Sequence, residues 1–194
     1  MNLEPLTDYS KFKAECEKIL LKYQSSNFTT TTIRPATVCG YSPRQRLDLV
    51  VNILTNLAYH KRSVSVFGGK QLRPNIHIED MAKAYEALIL APKSKVSGEI
   101  FNAGYENRSV LELANTVKRV IGNDVNLKFS PTNDNRSYHI NSEKIKKVLG
   151  FEPKRSIEMA IKDLCDAFKQ KKIINSFEND LYFNVSRLKN IKAK

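Results

Sequence analysis

Apolar residues recur at three- and four-residue steps through Phe12, Cys16, Ile19, Leu20 and Tyr23, which describes one buried stripe on a helix beginning near Tyr9. Thr7 or Asp8 is the expected N-cap. Phe28 to Val38 is rich in threonine and β-branched residues and runs into Arg34-Pro35, so it reads as a strand leading into a loop closed by Gly40. A helix is expected from about Arg46 to His60, then a short alternating strand from Ser63 to Phe67 ended by the Gly68-Gly69 turn. Asn75 to Ile78 reads as extended. Glu79 opens a long amphipathic helix through Met81, Ala84, Leu88 and Leu90, stopped near Pro92. A strand at Glu99 to Ala103 precedes a helix capped by Ser109, with Glu112 where a capping box wants it and Gly122 as its end. Val125 to Phe129 is a further strand, and serines precede helices at Ser142 to Leu149 and Ser156 to Lys171. Helices and strands in alternation make this an α/β chain. Ile173 to Lys194 has no periodicity: a tail draped on the body, an oligomer contact and disorder all fit it.

Composition narrows the class. A chain of 194 residues, 41% of them hydrophobic, can bury a core of one domain or one and a half. It has no apolar run of about 18 residues and no charged-then-apolar start, so neither a membrane span nor a secretory signal is expected, and the cytoplasm is the expected compartment. Cys16, Cys39 and Cys165 have no metal or disulfide spacing and read as reduced structural thiols. The formal charge of +12 raises the question of nucleic acid. The basic residues are scattered, however, with modest crowding at Lys144, Lys146 and Lys147 and from Arg187 onward, and no aromatics interleave them. Neither nucleic acid nor membrane is expected as a partner.

The candidate chemistry lies at the start. Tyr9 and Lys13 stand four residues apart, hence on one face of the first helix. A cation near a phenol favours the phenolate, which can then exchange a proton with a substrate hydroxyl. The spacing by itself is common on exposed helix faces. Its weight comes from the segments that follow.

Leu6-Thr7-Asp8-Tyr9-Ser10-Lys11-Phe12-Lys13 resembles the Y-x-x-x-K segment of the extended short-chain dehydrogenase/reductases, the NAD-dependent epimerases and dehydratases. Arg34-Pro35-Ala36-Thr37-Val38-Cys39-Gly40 is similar to that family's R-x-x-N-V-Y-G loop, and Ser42 to Arg46 with Asp48 to Asn52 is similar to the stretch beside its sugar nucleotide. Val66-Phe67-Gly68-Gly69 and Leu72 to Asp80 resemble its F-G-x-G and R-D-F-I-H-V-D-D segments. Asp134-Asn135-Arg136-Ser137-Tyr138 and Lys147 to Pro153 resemble its closing D-x-R-x-Y and L-G-F-x-P features.

The resemblance implies the C-terminal part of an NAD(P)-binding Rossmann-like fold plus a smaller mixed α/β substrate-binding lobe. In this reading residues 1–62 belong to the Rossmann-like part, 63–172 to the lobe with some chain returning to the main sheet, and 173–194 to the tail. Tyr9 is the implied acid/base, and Lys13 assists it and binds the nicotinamide ribose. Pro35 and Ala36 lie against the nicotinamide of NAD or NADP. Thr37 stands where many members carry asparagine and faces pyrophosphate or substrate. Arg73 and Arg136 are the candidates for the nucleotide diphosphate, which suits a charged, forked donor. Arg46 and Asn52 are further substrate-binding candidates. The R-x-x-D arginine of some epimerases would fall at Pro131. His77 reads as a buried strand residue bonded to backbone, Asp80 helps start the next helix, and His60 and His139 have no partner visible in sequence.

The family's cofactor grip is a G-x-x-G-x-x-G turn. Glycines at 40, 68, 69, 98, 104, 122 and 150 never take that spacing. The expectation is therefore a fragment lacking the N-terminal βαβ units, inactive alone, whose partners are a nucleotide sugar and either a separate N-terminal half or a homodimer. Epimerase, dehydratase and reductase chemistry stay open, as do a non-sugar carbonyl reductase and a cofactor-free binding module.

Overall fold

Two short strands carry the chain between sheets. The computed structural model describes residues 7–133 and 136–192, so Asp134 and Asn135 of the D-x-R-x-Y segment, Leu6 and both extreme ends lie outside the described residues. Strand β1 (Thr31–Pro35) and strand β2 (Thr37–Cys39) are separated only by Ala36. β1 pairs in parallel with β5 (Glu99–Ala103), with Thr31 opposite Glu99 and Pro35 opposite Ala103. β2 pairs in parallel with β4 (Leu72–His77), and β4 pairs antiparallel with β6 (Glu106–Ser109). A third sheet joins β3 (Ser63–Phe67) and β7 (Asn126–Ser130) in parallel. The helices are α1 (Asp8–Lys22), α2 (Val50–Lys61), α3 (Ile78–Leu90), α4 (Lys93–Val96), α5 (Val110–Ile121), α6 (Glu143–Leu149), α7 (Ile157–Lys169) and α8 (Asn184–Asn190). Parallel pairs joined through helices give the expected α/β class. Among the described residues no helix is long and apolar enough to cross a membrane.

Apolar burial divides into three clusters. Val51, Leu54, Leu113, Val117 and Ile161 bring α2, α5 and α7 against Val64 and Val66 of β3. Ile76, Met81, Ala84, Phe101 and Ile145 bring α3 and α6 onto the β1–β5 and β2–β4 strands. Phe101 is wholly buried, and each such side chain contributes about 1.5–3 kcal/mol. Leu47, Leu164, Phe168 and Ile173 form the third, with Tyr41, Tyr182 and Phe183 packed on it. His60 finds partners here after all, with its ring edge-on to Tyr59, Phe168 and Phe177, and burial holds its imidazole below the usual pKa.

Several expectations change. The stripe on α1 forms a helix but is not buried: no residue of α1 is, and Phe12 is 70% and Tyr23 63% exposed. The reason lies beneath it, because among the described residues β1 pairs with β5 alone and offers a two-stranded ribbon. Polar bonds hold α1 there: Arg34 Nε donates to Glu17 at 2.8 Å, and Gln24 accepts from Thr30 N–H at 2.6 Å while donating to Ser97 Oγ at 2.6 Å. The helix expected from Arg46 begins at Val50, since side-chain bonds tie the preceding residues into a loop. β6 and α4 carry too little apolar pattern to be expected at all. Residues 173–183 lie on the body, where Ile173 and Ser176 are buried and Tyr182 and Phe183 pack on the third cluster.

The cysteines are free thiols; burial pushes Cys39 up to about 12 and Cys165 up to about 11, while Cys16 is exposed.

Local chemistry sets two further features. Ser109 and Glu112 form the anticipated capping box, and the bonds from the Ser109 backbone and side chain hold the Glu112 carboxyl below its usual pKa. Ser142 does not cap α6 with its side chain; its Oγ accepts from Gly104 N–H at 2.8 Å. A Cβ at Gly104 would collide with Ile140 Cγ2 and stand 3.1 Å from Ala36 Cβ. Ile140 has little room to retreat, because Asn107 bonds its N–H (2.9 Å) and its carbonyl (3.0 Å).

Ser109→Ala should therefore lose about 1 kcal/mol of stability by urea denaturation. Gly104→Ala should lose about 1–3 kcal/mol by overpacking, read in the same assay.

Candidate functional site

Thr7 caps α1 by accepting from Ser10 N–H at 3.2 Å, which places Tyr9 and Lys13 in the first turns, ~6 Å apart along the axis. Tyr9 is 75% exposed, and neither side chain has a hydrogen bond or ion pair among the described residues. Glu17, one turn further on, is bonded to Arg34, and Gln24, further still, to Thr30. Gln24 just past the helix meets Thr30 just before the strand, while Glu17 within the helix meets Arg34 further along β1, so α1 and β1 run in opposite directions. Tyr9 and Lys13 accordingly stand beyond Arg34, toward Pro35 and Ala36 and the C-terminal edge of the β1–β5 pair. Open α/β sheets gather ligands along that edge. Pro35 is exposed there, and Ala36, whose N–H donates to Ala103 O at 2.7 Å, is buried.

Two groups of substrate-side candidates follow. The first lies on β2 and β4. Thr37 is opposite Asn75, whose Nδ2 donates to Arg73 O at 2.8 Å and whose buried Oδ1 has no partner among the described residues. Arg73 Nη1 donates to Leu72 O at 2.9 Å and to Arg136 O, and its guanidinium lies 5.8 Å from the Tyr138 ring centroid. Ser137 Oγ accepts from Leu72 N–H at 3.0 Å, so residues 136–138 are strapped to the start of β4. Arg73 and Arg136 are brought together in this way.

The second group lies between β2 and α2. Asn52 Oδ1 accepts from Gly40 N–H at 3.1 Å and its Nδ2 donates to Arg46 O at 2.8 Å, so this amide spans the loop. Gly40 has φ +102°, which suits glycine there. Arg46 is engaged through Nε and Nη2 by the two oxygens of Asp48, at 2.9 and 3.1 Å. Sequence reasoning put Gln45 and Asp48 in the stretch resembling the one beside the sugar nucleotide, without a role for either. Gln45 is buried and ties Ser42 N–H to Arg46 O, and the Arg-x-Asp spacing was the available signal for Asp48.

His77 is buried as expected, but its bonds are specific. Nδ1 accepts from Glu79 N–H at 3.2 Å to cap α3, so Nε2 carries the proton and donates to Asp163 at 3.0 Å. Asp80 accepts from the N–H groups of Lys154 and Arg155, at 2.9 and 2.7 Å, and so ties the start of α3 to the residues before α7.

As for a dinucleotide, the donors fit one end only. Tyr9 and Lys13 are open to a ligand, whereas the glycines form no diphosphate cradle. Gly68-Gly69 leads into a strand, and the space above Gly68 is filled by Thr132 and Gln71.

Comparison with known proteins places this geometry. The model of the NAD dependent epimerase/dehydratase family matches residues 1–104. UDP-glucuronic acid decarboxylase 2 of Arabidopsis thaliana is 27% identical over 170 residues, covering 84% of this chain and 37% of that protein. dTDP-glucose 4,6-dehydratase 1 of Escherichia coli is 23% identical over 172 residues, covering 81% and 46%. The structure of UDP-glucose 4-epimerase with UDP-glucose from Thermotoga maritima superposes with a TM-score of 0.75 at 26% identity, covering 88% of this chain and 56% of that one. The chain thus spans less than half the length of both curated relatives. Its α/β architecture is Rossmann-like, and it belongs to the NAD-dependent epimerase/dehydratase family.

Proposed function

We propose that this chain supplies the proton-transfer and substrate-binding side of an NAD(P)-dependent enzyme that modifies a nucleotide sugar. The observation that carries this reading is Tyr9 and Lys13, exposed and without a partner among the described residues, on the side of α1 toward the C-terminal edge of the β1–β5 pair in a member of this family. NAD or NADP, when bound, would accept a hydride from a sugar carbon and return it. Tyr9 takes the proton of the sugar hydroxyl, with the Lys13 ammonium one turn away to offset the phenolate charge. Pro35 and Ala36 form the floor beside them. Arg73, steadied by the Arg136 carbonyl and Tyr138, meets the diphosphate, with Arg136 and Thr37 alongside.

The glycine-rich turn that holds a dinucleotide is not within these 194 residues, so in this reading it comes from polypeptide outside them, on the same or a separate chain. The exposed apolar residues of α1 support that, being the face such a segment would cover. Without it the chain binds nucleotide sugar and turns nothing over.

Calorimetry of the chain with UDP-, GDP-, CDP- and dTDP-sugars should show binding of at least one, unchanged by added NAD, and about 10-fold or more weaker in Arg73→Ala. Turnover of a nucleotide sugar by the unaided chain, or no binding of any of them, contradicts the proposal.

A further inference from the structure

Residues 181–184 close over the loop that carries Arg46. Leu47 N–H donates to Tyr182 O at 2.9 Å, and Arg44 Nη1 donates to Leu181 O at 2.7 Å. The Asn184 N–H, at the first residue of α8, donates to Asp48 Oδ2 at 3.0 Å. That oxygen is the one that also accepts from Arg46 Nη2. Beneath these bonds Leu47 is fully buried against Leu164, Phe168 and Ile173. Asp48 therefore has two duties: it holds Nε and Nη2 of Arg46, and it is itself held by the backbone of α8. The remaining guanidinium nitrogen, Nη1, makes no bond among the described residues, and the Arg46 side chain is 38% exposed. A guanidinium pinned on one side and open on the other presents a fixed donor to an anion.

The geometry points to residues 173–191 as a clasp that positions Arg46 for an anionic group of the substrate, with Asp48 and the Asn184 N–H as its positioning residues. The nature of that anion, the diphosphate or sugar carboxylate of a nucleotide sugar, rests on the function proposed above. The clasp itself does not.

One substitution isolates the link. Asn184 is the first residue of α8, where proline is tolerated, and Phe183 before it has the extended backbone (φ −129°, ψ 99°) that a residue preceding proline adopts. Asn184→Pro removes the N–H to Asp48, whereas Asn184→Ala keeps it and loses only the side-chain contact to Arg44. Hydrogen exchange should be faster across residues 41–49 in N184P than in N184A, at matched melting temperature. UDP-glucose or dTDP-glucose, whichever the wild type binds, should bind about 3- to 10-fold more weakly to N184P and within about twofold of wild type to N184A. Equal exchange in the two variants overturns the clasp. Faster exchange with unchanged affinity overturns its role in positioning Arg46. A wild-type chain that binds no nucleotide sugar overturns the substrate reading instead, while the exchange comparison still decides the clasp.

Discussion

At Ala36 one backbone bond, from its N–H to the carbonyl of Ala103, holds the chain where it leaves the β1–β5 pair and enters the β2–β4 sheet. The pair proposed for proton transfer, Tyr9 and Lys13 on α1, is registered to β1 through Glu17 and Arg34. The residues proposed for substrate, Thr37, Arg73 and the loop with Arg46, hang from β2 and its partner β4. A shift at Ala36 would move one set against the other. Gly104 makes the tight joint possible, since the absence of a side chain lets Ile140 press close beside Ala36. Ser142, drawn away from its own helix, takes the Gly104 N–H and closes the same corner.

Most of the fold was legible because most of its elements announce themselves by period and cap. Ser109 and Glu112 mark the start of α5 as plainly in sequence as in space, and Gly122 marks its end. β6 was not legible, because Glu106, Asn107, Arg108 and Ser109 carry no apolar alternation. Their strand is held by pairing with β4 and by the ion pairs of Arg108 with Glu106 and Glu158, all partners distant or unmarked. The α1 stripe shows the opposite limit. Its period gives the helix correctly, but period says nothing of what lies beneath, and among the described residues β1 has β5 as its one neighbour.

The candidate site divides in the same way. Residue types in family order nominate Tyr9, Lys13, Arg73 and Arg136, and the last two meet, with Arg73 holding the other's carbonyl. What sequence could not supply was the set of bonds each candidate already has. Asn52, named for substrate, spends its amide on Gly40 and Arg46. Arg46 is committed to Asp48, and Asp48 to Asn184, a partner so far along the chain that no spacing rule connects them. Amides and carboxylates of this kind are chosen by tertiary geometry, and only their near neighbours leave a local signal.

The parallel pairing has a kinetic consequence. Each such pair joins distant parts of the chain: Thr31 waits for Glu99, Thr37 for Asn75, and Ser63 for Asn126. Long loops must close before any of these contacts is rewarded, so folding is slow by topology. During that interval the strand edges and the apolar face of α1 are open together. A nascent chain of this design keeps unpaired strand edges bare until its last partner strand is made, so its need for chaperone protection lasts until β7 has emerged from the ribosome.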